Sequence, residues 1–312
     1  MNRKDTLAVL ALSSIWGSSY LFIAIGAESL PPITLVAIRL LIGAAALQIA
    51  LRLRGIPLPS APRTLAALAF MGLTNNIIPF TLITWAETPG PQQINSGLAA
   101  VLTAAAPIFT VIIAHFTLKD ERFTALKVSG VLLGFTGVVV LMSLKLTGFD
   151  GDQSLLGALG VVGAAVSYAV AIIFARRVLS KVPPMVIGAM QMTWGTFLLM
   201  PLALLVERPS LTGVTAQAWF AVAWLGVLGS GIAYILFFGL VQSIGATRTT
   251  IVAYLMPIVA VILGAIFNNE SIHWTLIAGM VLIIGGAAIV NRKPKPRSAP
   301  SEVAVSPATG AR

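Results

Sequence analysis

Residues 31–52 read PPITLVAIRLLIGAAALQIALR. A proline pair opens the stretch, and a single charged residue, Arg39, interrupts an otherwise nearly unbroken apolar run. About 20 mostly apolar residues suffice for a helix to cross the hydrocarbon core of a bilayer. Proline is tolerated in the first helical turn, where its missing N–H would have no partner anyway. The stretch therefore reads as a transmembrane helix that starts at Pro32.

Working outward, nine further segments meet the same criterion, near 6–27, 64–86, 93–116, 124–143, 155–176, 185–206, 216–239, 246–267 and 273–290. Loop signals separate them: Pro57 and Pro59, Pro89-Gly90-Pro91, Lys119-Asp120-Glu121-Arg122, Pro183-Pro184 and Glu207-Arg208-Pro209. The whole chain agrees. Of its 312 residues 57% are hydrophobic and 10% charged, whereas a soluble domain carries about a quarter charged residues. A β-barrel is disfavoured because the runs are continuously apolar rather than alternating. The expected fold is all-α, a polytopic membrane protein of ten transmembrane helices. The segment from Thr6 follows Arg3 and Lys4 as a signal peptide would, but it is long enough to span and is taken as the first helix.

With the N-terminus inside, the inner segments hold 17 of the basic residues and the outer loops only Lys145 and Arg208. Basic residues concentrate on the cytoplasmic side of membrane proteins. A multi-pass inner-membrane protein with both termini cytoplasmic is expected, and the net charge of +10 needs no nucleic-acid partner. The tail 291–312, rich in Pro, Ser and basic residues, is expected to be disordered.

The chain also repeats itself. Pro31-Pro32 matches Pro183-Pro184, placing Trp16 opposite Tyr168 and Arg39 opposite Gln191. Gln92, Pro107-Ile108 and Val111-Ile112 match Gln242, Pro257-Ile258 and Val261-Ile262. Five spans per half is an odd number, so residues 1–145 and 146–290 are expected to be five-helix repeats of inverted topology. Secondary transporters commonly hold substrate between such repeats.

The residues Ile15-Trp16-Gly17-Ser18-Ser19, Arg39, Ala253-Tyr254-Leu255-Met256-Pro257-Ile258, Glu270 and Ile283-Ile284-Gly285-Gly286 carry a resemblance to the drug/metabolite transporter superfamily. The chain is similar to its ten-helix EamA-type exporters, among them the branch that exports aromatic amino acids. The resemblance spans about residues 6–290. It implies a central cavity between two repeats, peripheral fifth and tenth spans, and efflux of amino acids or related metabolites.

Polar and aromatic residues deep in a bilayer are costly and mark candidate sites. Ser13, Trp16 and Tyr20 share one face of span one, where Trp16 either walls a cavity or packs on a neighbour. Tyr168 is its repeat mate. Asn75 and Asn76 precede Pro79; one is expected in the cavity and the other on the carbonyl that the proline frees. Thr103, Trp194, Tyr234 and Tyr254 complete the expected substrate-binding set with Trp16, Tyr20, Asn76 and Tyr168; Trp85 and Phe237 are further candidates. Pro107 and Pro257 are expected to kink spans four and nine and serve a gate. Arg39 either pairs with a substrate carboxylate or snorkels and binds carbonyls of span one. Trp219 and Trp224 read as interfacial belt residues, and Gly130-x3-Gly134 as a close-packing motif.

No acidic residue is expected at mid-membrane depth, Glu87 and Glu270 being placed at span ends. Cysteine is absent, and His115 and His273 fall at opposite ends of the bundle, so neither a metal nor another cofactor is expected. The reading is a secondary exporter of small metabolites working by alternating access. Its aromatic lining points to aromatic or large neutral amino acids. A multidrug or toxic-compound exporter is the alternative within transport, and an integral-membrane enzyme the alternative outside it. The expected partners are a small-molecule substrate and the lipid bilayer, with monomer and homodimer both open.

Overall fold

The computed structural model describes residues 1–118, 123–146 and 154–291. The charged run 119–122, Asp150, Asp152 and the tail beyond Asn291 lie outside the described residues. The protein is a helical bundle, with no strand among the described residues. Eight helices are long and apolar enough to cross a membrane: Arg3–Ala27, Pro32–Leu53, Pro62–Glu87, Ser96–Thr117, Ala125–Met142, Leu155–Val178, Pro184–Glu207 and Ala216–Ile244. Two shorter apolar helices follow, Ile251–Phe267 and Trp274–Val290. In chain order these are spans one to ten. A 22-residue helix such as Pro32–Leu53 is about 33 Å long at 1.5 Å per residue, which matches a hydrocarbon core of about 30 Å.

Helix starts follow ordinary capping chemistry. Pro32, Pro62 and Pro184 occupy first-turn positions. The Asn2 side chain receives the Asp5 N–H at 2.8 Å, Ser154 caps Gly157 and Thr215 caps Ala218. Two spans are instead capped from far along the chain. The Glu207 carboxylate accepts the N–H groups of Ile33 and Thr34 at 2.9 and 2.7 Å and the Thr34 hydroxyl at 2.7 Å. Glu270 does the same for Ser96 and Gly97 at 2.9 and 3.0 Å, and also accepts the Ser96 hydroxyl at 2.6 Å. A carboxylate at a helix N-terminus satisfies orphan donors and complements the dipole. Glu207 and Glu270 thus clip spans two and four to distant segments on one face of the bundle.

The spans pair in a regular way. Span one packs on span nine and span six on span four; span three packs on six and span eight on one; span two packs on eight and span seven on three. Spans two and seven meet each other, as do five and ten. Adding five to each span number, cyclically, leaves this set unchanged. Spans five and ten meet through glycines: a Cβ at Gly286 would fall 2.5 Å from the Gly130 oxygen and the Gly134 nitrogen. Side chains such as Ile49, Phe116, Leu132, Phe197, Leu205 and Val281 project outward, as in a helix bundle whose solvent is lipid.

Four spans depart from regular α-helix. Spans three, seven and eight contain wide π turns at Leu73–Ile77, Ala203–Glu207 and Leu225–Ile232. Span four is divided into Ser96–Thr103 and Ala106–Thr117. Leu73 to Leu225 is the same step of 152 residues as Pro31 to Pro183.

Candidate functional site

The π turn in span three originates at Pro79. In that register the Thr74 carbonyl would be paired with the amide of residue 79, and proline has none. Ser167 of span six supplies the missing donor, its hydroxyl reaching the Thr74 oxygen at 2.7 Å. Neither asparagine is used for that purpose, and both are free for the interior. Asn75 donates to Gln191 Oε1 at 3.2 Å, and Gln191 Nε2 donates to the Tyr234 hydroxyl at 3.4 Å. Asn76 is completely buried and lies beside that hydroxyl.

Span eight brings Tyr234 inward through its own π turn. The Gly229 oxygen accepts the Trp16 indole N–H at 3.0 Å. Trp16 meets Tyr234 edge-on at 5.9 Å and Phe237 at 5.5 Å, geometries favoured by aromatic quadrupoles. Tyr168 and Tyr234 are each partly buried against the core of the bundle.

Arg39 stands at the centre of the polar groups. Spans two and eight approach closely at small residues: a Cβ at Gly226 would meet that of Ile42 at 2.5 Å, and one at Gly43 that of Ser230 at 2.6 Å. This brings Arg39 Nε to donate to Ser230 Oγ at 3.0 Å. The guanidinium carbon sits 4.0 Å from the centre of the Phe80 ring, a cation–π contact. Arg39 does not snorkel to the surface, and no carbonyl of span one accepts from it among the described residues. Tyr20, Tyr168, Tyr234 and Glu87 all lie within its electrostatic reach, and the Tyr20 hydroxyl comes to the Thr103 hydroxyl.

A bundle of ten apolar helices around a polar, aromatic interior invites comparison with membrane carriers. The sequence profile of the EamA-like transporter family matches this chain twice, over residues 4–143 and 155–292. The chain belongs to the EamA-like transporter family. It is 31% identical over 296 residues to the uncharacterized inner membrane transporter YedA of Escherichia coli K12, covering 92% of each chain. It is 25% identical over 283 residues to the uncharacterized transporter YoaV of Bacillus subtilis, covering 91% of this chain and 95% of that one. A crystal structure with 23% identity shares the fold at a TM-score of 0.64, covering 93% of this chain and 98% of the other. The protein is thus a multi-pass membrane transporter.

In this EamA-like transporter the interior brings Trp16, Tyr20, Asn76, Thr103, Tyr168 and Tyr234 near one another. Trp194 stands edge-on to Phe197 at 5.9 Å; it is partly buried against the core that also holds Tyr168 and Tyr234, and its indole nitrogen is buried with no hydrogen-bond partner among the described residues. Tyr254 is elsewhere: its hydroxyl donates to the Ala287 oxygen at 3.1 Å and accepts from Asn291 Nδ2 at 2.7 Å, tying span nine to span ten. Trp85 fills the seam opposite Gly160. Trp224, expected at the interface, donates to Ser18 Oγ at 3.3 Å and lies 4.7 Å from the Phe22 ring. Of the two expected kinks, Pro107 follows a break in span four, while span nine continues as a helix through Pro257.

Glu87 is the last residue of span three, as expected, and it is also 1% exposed, a burial that counting along the chain does not show. A signal for it existed: Asn76, Phe80, Thr84 and Glu87 recur at four, four and three residues and so share one helix face, all of it buried.

Proposed function

We propose that this transporter is a secondary carrier of the inner membrane that exports amino acids, aromatic or large neutral ones first, by alternating access. In this reading residues 1–145 and 146–290 are inverted repeats, both termini are cytoplasmic, and the chamber between the repeats opens to one side at a time. The cyclic pairing of the spans and the double match of the family profile support the repeats; the distribution of basic residues supports the orientation. The observation that carries the substrate assignment is the enclosed set of Trp16, Tyr168, Tyr234 and Phe237, which offers ring faces and edges beside a cation. An aromatic side chain stacks in such a place while its polar end finds hydrogen bonds. Pro107, beside the break in span four, is assigned to the moving part of that span.

The test is flux into proteoliposomes over a panel of amino acids, with and without a pH gradient. Saturable movement of phenylalanine or tryptophan is expected. Trp16→Ala and Tyr168→Ala should each weaken it about tenfold, the value of a lost aromatic contact near 1.4 kcal/mol, with folding retained. Unchanged flux in both variants would remove them from the site. A second reading is favoured by Glu87: a buried carboxyl group near Tyr20 also suits a lipophilic cation, as in a drug exporter. Flux of such cations with none of any amino acid would establish that reading instead.

A further inference from the structure

We infer that the chamber has two charged poles, Glu87 for an ammonium group and Arg39 for a carboxylate, and that it therefore selects zwitterions over singly charged analogues. The inference rests on the carrier reading above and assigns its recognition chemistry to residues.

The first observation is a stripe along span three. Asn76, Thr84 and Glu87 are fully or almost fully buried, at 0, 0 and 1% exposure. Five of their polar atoms (both amide atoms of Asn76, the Thr84 hydroxyl oxygen and both Glu87 carboxylate oxygens) have no hydrogen-bond partner among the described residues. Folded proteins pair nearly all buried polar atoms, and an unpaired buried carboxylate is the costliest kind. A whole face left in this condition is explained if its partner arrives from outside the protein. That partner must donate hydrogen bonds and, at Glu87, carry positive charge.

The second observation is what surrounds Glu87. Tyr20 of span one, Arg39 of span two and Glu270 of the loop after span nine lie within its electrostatic range. Glu270 is committed to the first turn of span four. Tyr20 lies beside Thr103 and is itself neutral as a phenol, so it can offer Glu87 no charge. Arg39 would be the natural partner, yet no ion pair joins the two among the described residues. Arg39 is held aside by Ser230 and by the Phe80 ring, and only Nε of its five N–H donors is used there.

A carboxyl group and a guanidinium that share one interior without bridging present a dipolar site to a ligand that brings both opposite charges. A zwitterion matches both poles. A ligand with one charge leaves the other pole buried and unmatched, a penalty that works as selection against it. Phe80 and Thr84, between the two polar ends of the stripe, place an apolar ring and a hydroxyl along the same path.

The experiment uses the full chain in nanodiscs and three probes of one shape: phenylalanine, 2-phenylethylamine, which lacks the carboxylate, and 3-phenylpropionate, which lacks the ammonium. Binding is read by calorimetry, and folding of each variant by thermal unfolding. The wild type should prefer phenylalanine to each analogue by about tenfold or more, the scale of one charged hydrogen bond. Glu87→Gln, which keeps shape and loses charge, should erase the preference over 3-phenylpropionate and keep the preference over 2-phenylethylamine. A folded Glu87→Gln protein with the wild-type order of preference overturns the assignment of the poles while leaving the amino-acid carrier intact. Wild-type protein that binds 2-phenylethylamine as tightly as phenylalanine overturns the two-pole site and leaves Glu87 a simple cation site. Wild-type protein that binds none of the three overturns the amino-acid reading itself.

Discussion

Spans four and nine carry a proline at matching places, Pro107 and Pro257, and only span four breaks. It stops at Thr103 and resumes at Ala106, with Ala105 and Ile108 bonded back over three residues to Leu102 and Ala105. Span nine runs unbroken from Ile251 to Phe267 with its proline inside. Proline removes one donor and crowds the carbonyl four residues earlier in both cases, so the residue alone does not decide the outcome. Packing does. Span one crosses span nine at Gly17, where a Cβ would fall 2.6 Å from Val259 Cβ and 2.8 Å from the Met256 oxygen. The backbone of span one is pressed against span nine at Met256 and Val259, on both sides of Pro257, and that contact keeps the helix unbroken. In span six the residue matching Gly17 is Ala169, buried but bearing a Cβ. The crossing of spans six and four does not demand the same closeness.

The largest effect is therefore expected at Gly17. Gly17→Val must push span nine away from span one, and overpacking of this kind costs about 3 kcal/mol or more when backbone atoms stand in the way. A fall in thermal stability in detergent, with a loss of monodisperse protein on size exclusion, is the expected result. A Gly17→Val protein as stable as wild type would mean that span nine is unbroken for some other reason.

Next come the prolines themselves. Pro107→Ala restores a donor at a point where the chain now turns, and should allow span four to heal into one helix. If that break belongs to the moving parts, flux falls about tenfold, equivalent to 1.4 kcal/mol on the limiting step. Pro257→Ala restores a donor in a helix that is already continuous and should change flux by about twofold or less. The reverse order would assign the moving element to span nine.

How far the sequence reveals this molecule differs between fold and site. The ten spans are legible because lipid leaves backbone groups no partner outside the helix, so every crossing must be a continuous apolar run. Position along a span is legible by the same counting, and Trp16, Tyr20, Asn76 and Tyr168 stand on segments that pack within the bundle. Direction is harder, because a deep aromatic residue faces whichever neighbour packing supplies. Trp194 and Tyr254 are aromatic residues within spans as Tyr234 is, yet one meets Phe197 and the other span ten. The π turns are invisible to hydropathy, since Leu73–Ile77 and Leu225–Ile232 differ from α-helix in register and not in composition. Glu87 is the instructive case. Counting along the chain puts it at the end of a span, while the spacing from Asn76 through Phe80 and Thr84 puts it on the buried face.

The smallest effect is expected at Tyr254, and it separates a tie from a lining. Its hydroxyl both donates to the Ala287 oxygen and accepts from Asn291, so span nine is anchored to span ten three residues before Pro257. Tyr254→Phe keeps the ring and removes both bonds, a cost of about 1 kcal/mol for partly buried hydrogen bonds. Thermal stability should drop by a few degrees at most. If span nine is unbroken because of Gly17, flux and KM for phenylalanine stay at wild-type values, since the ring does not reach the chamber. A raised KM with unchanged stability would place Tyr254 against the substrate after all. Unchanged KM with a lower turnover would show that the tie to span ten, as well as the Gly17 crossing, keeps span nine from bending at its proline as span four does.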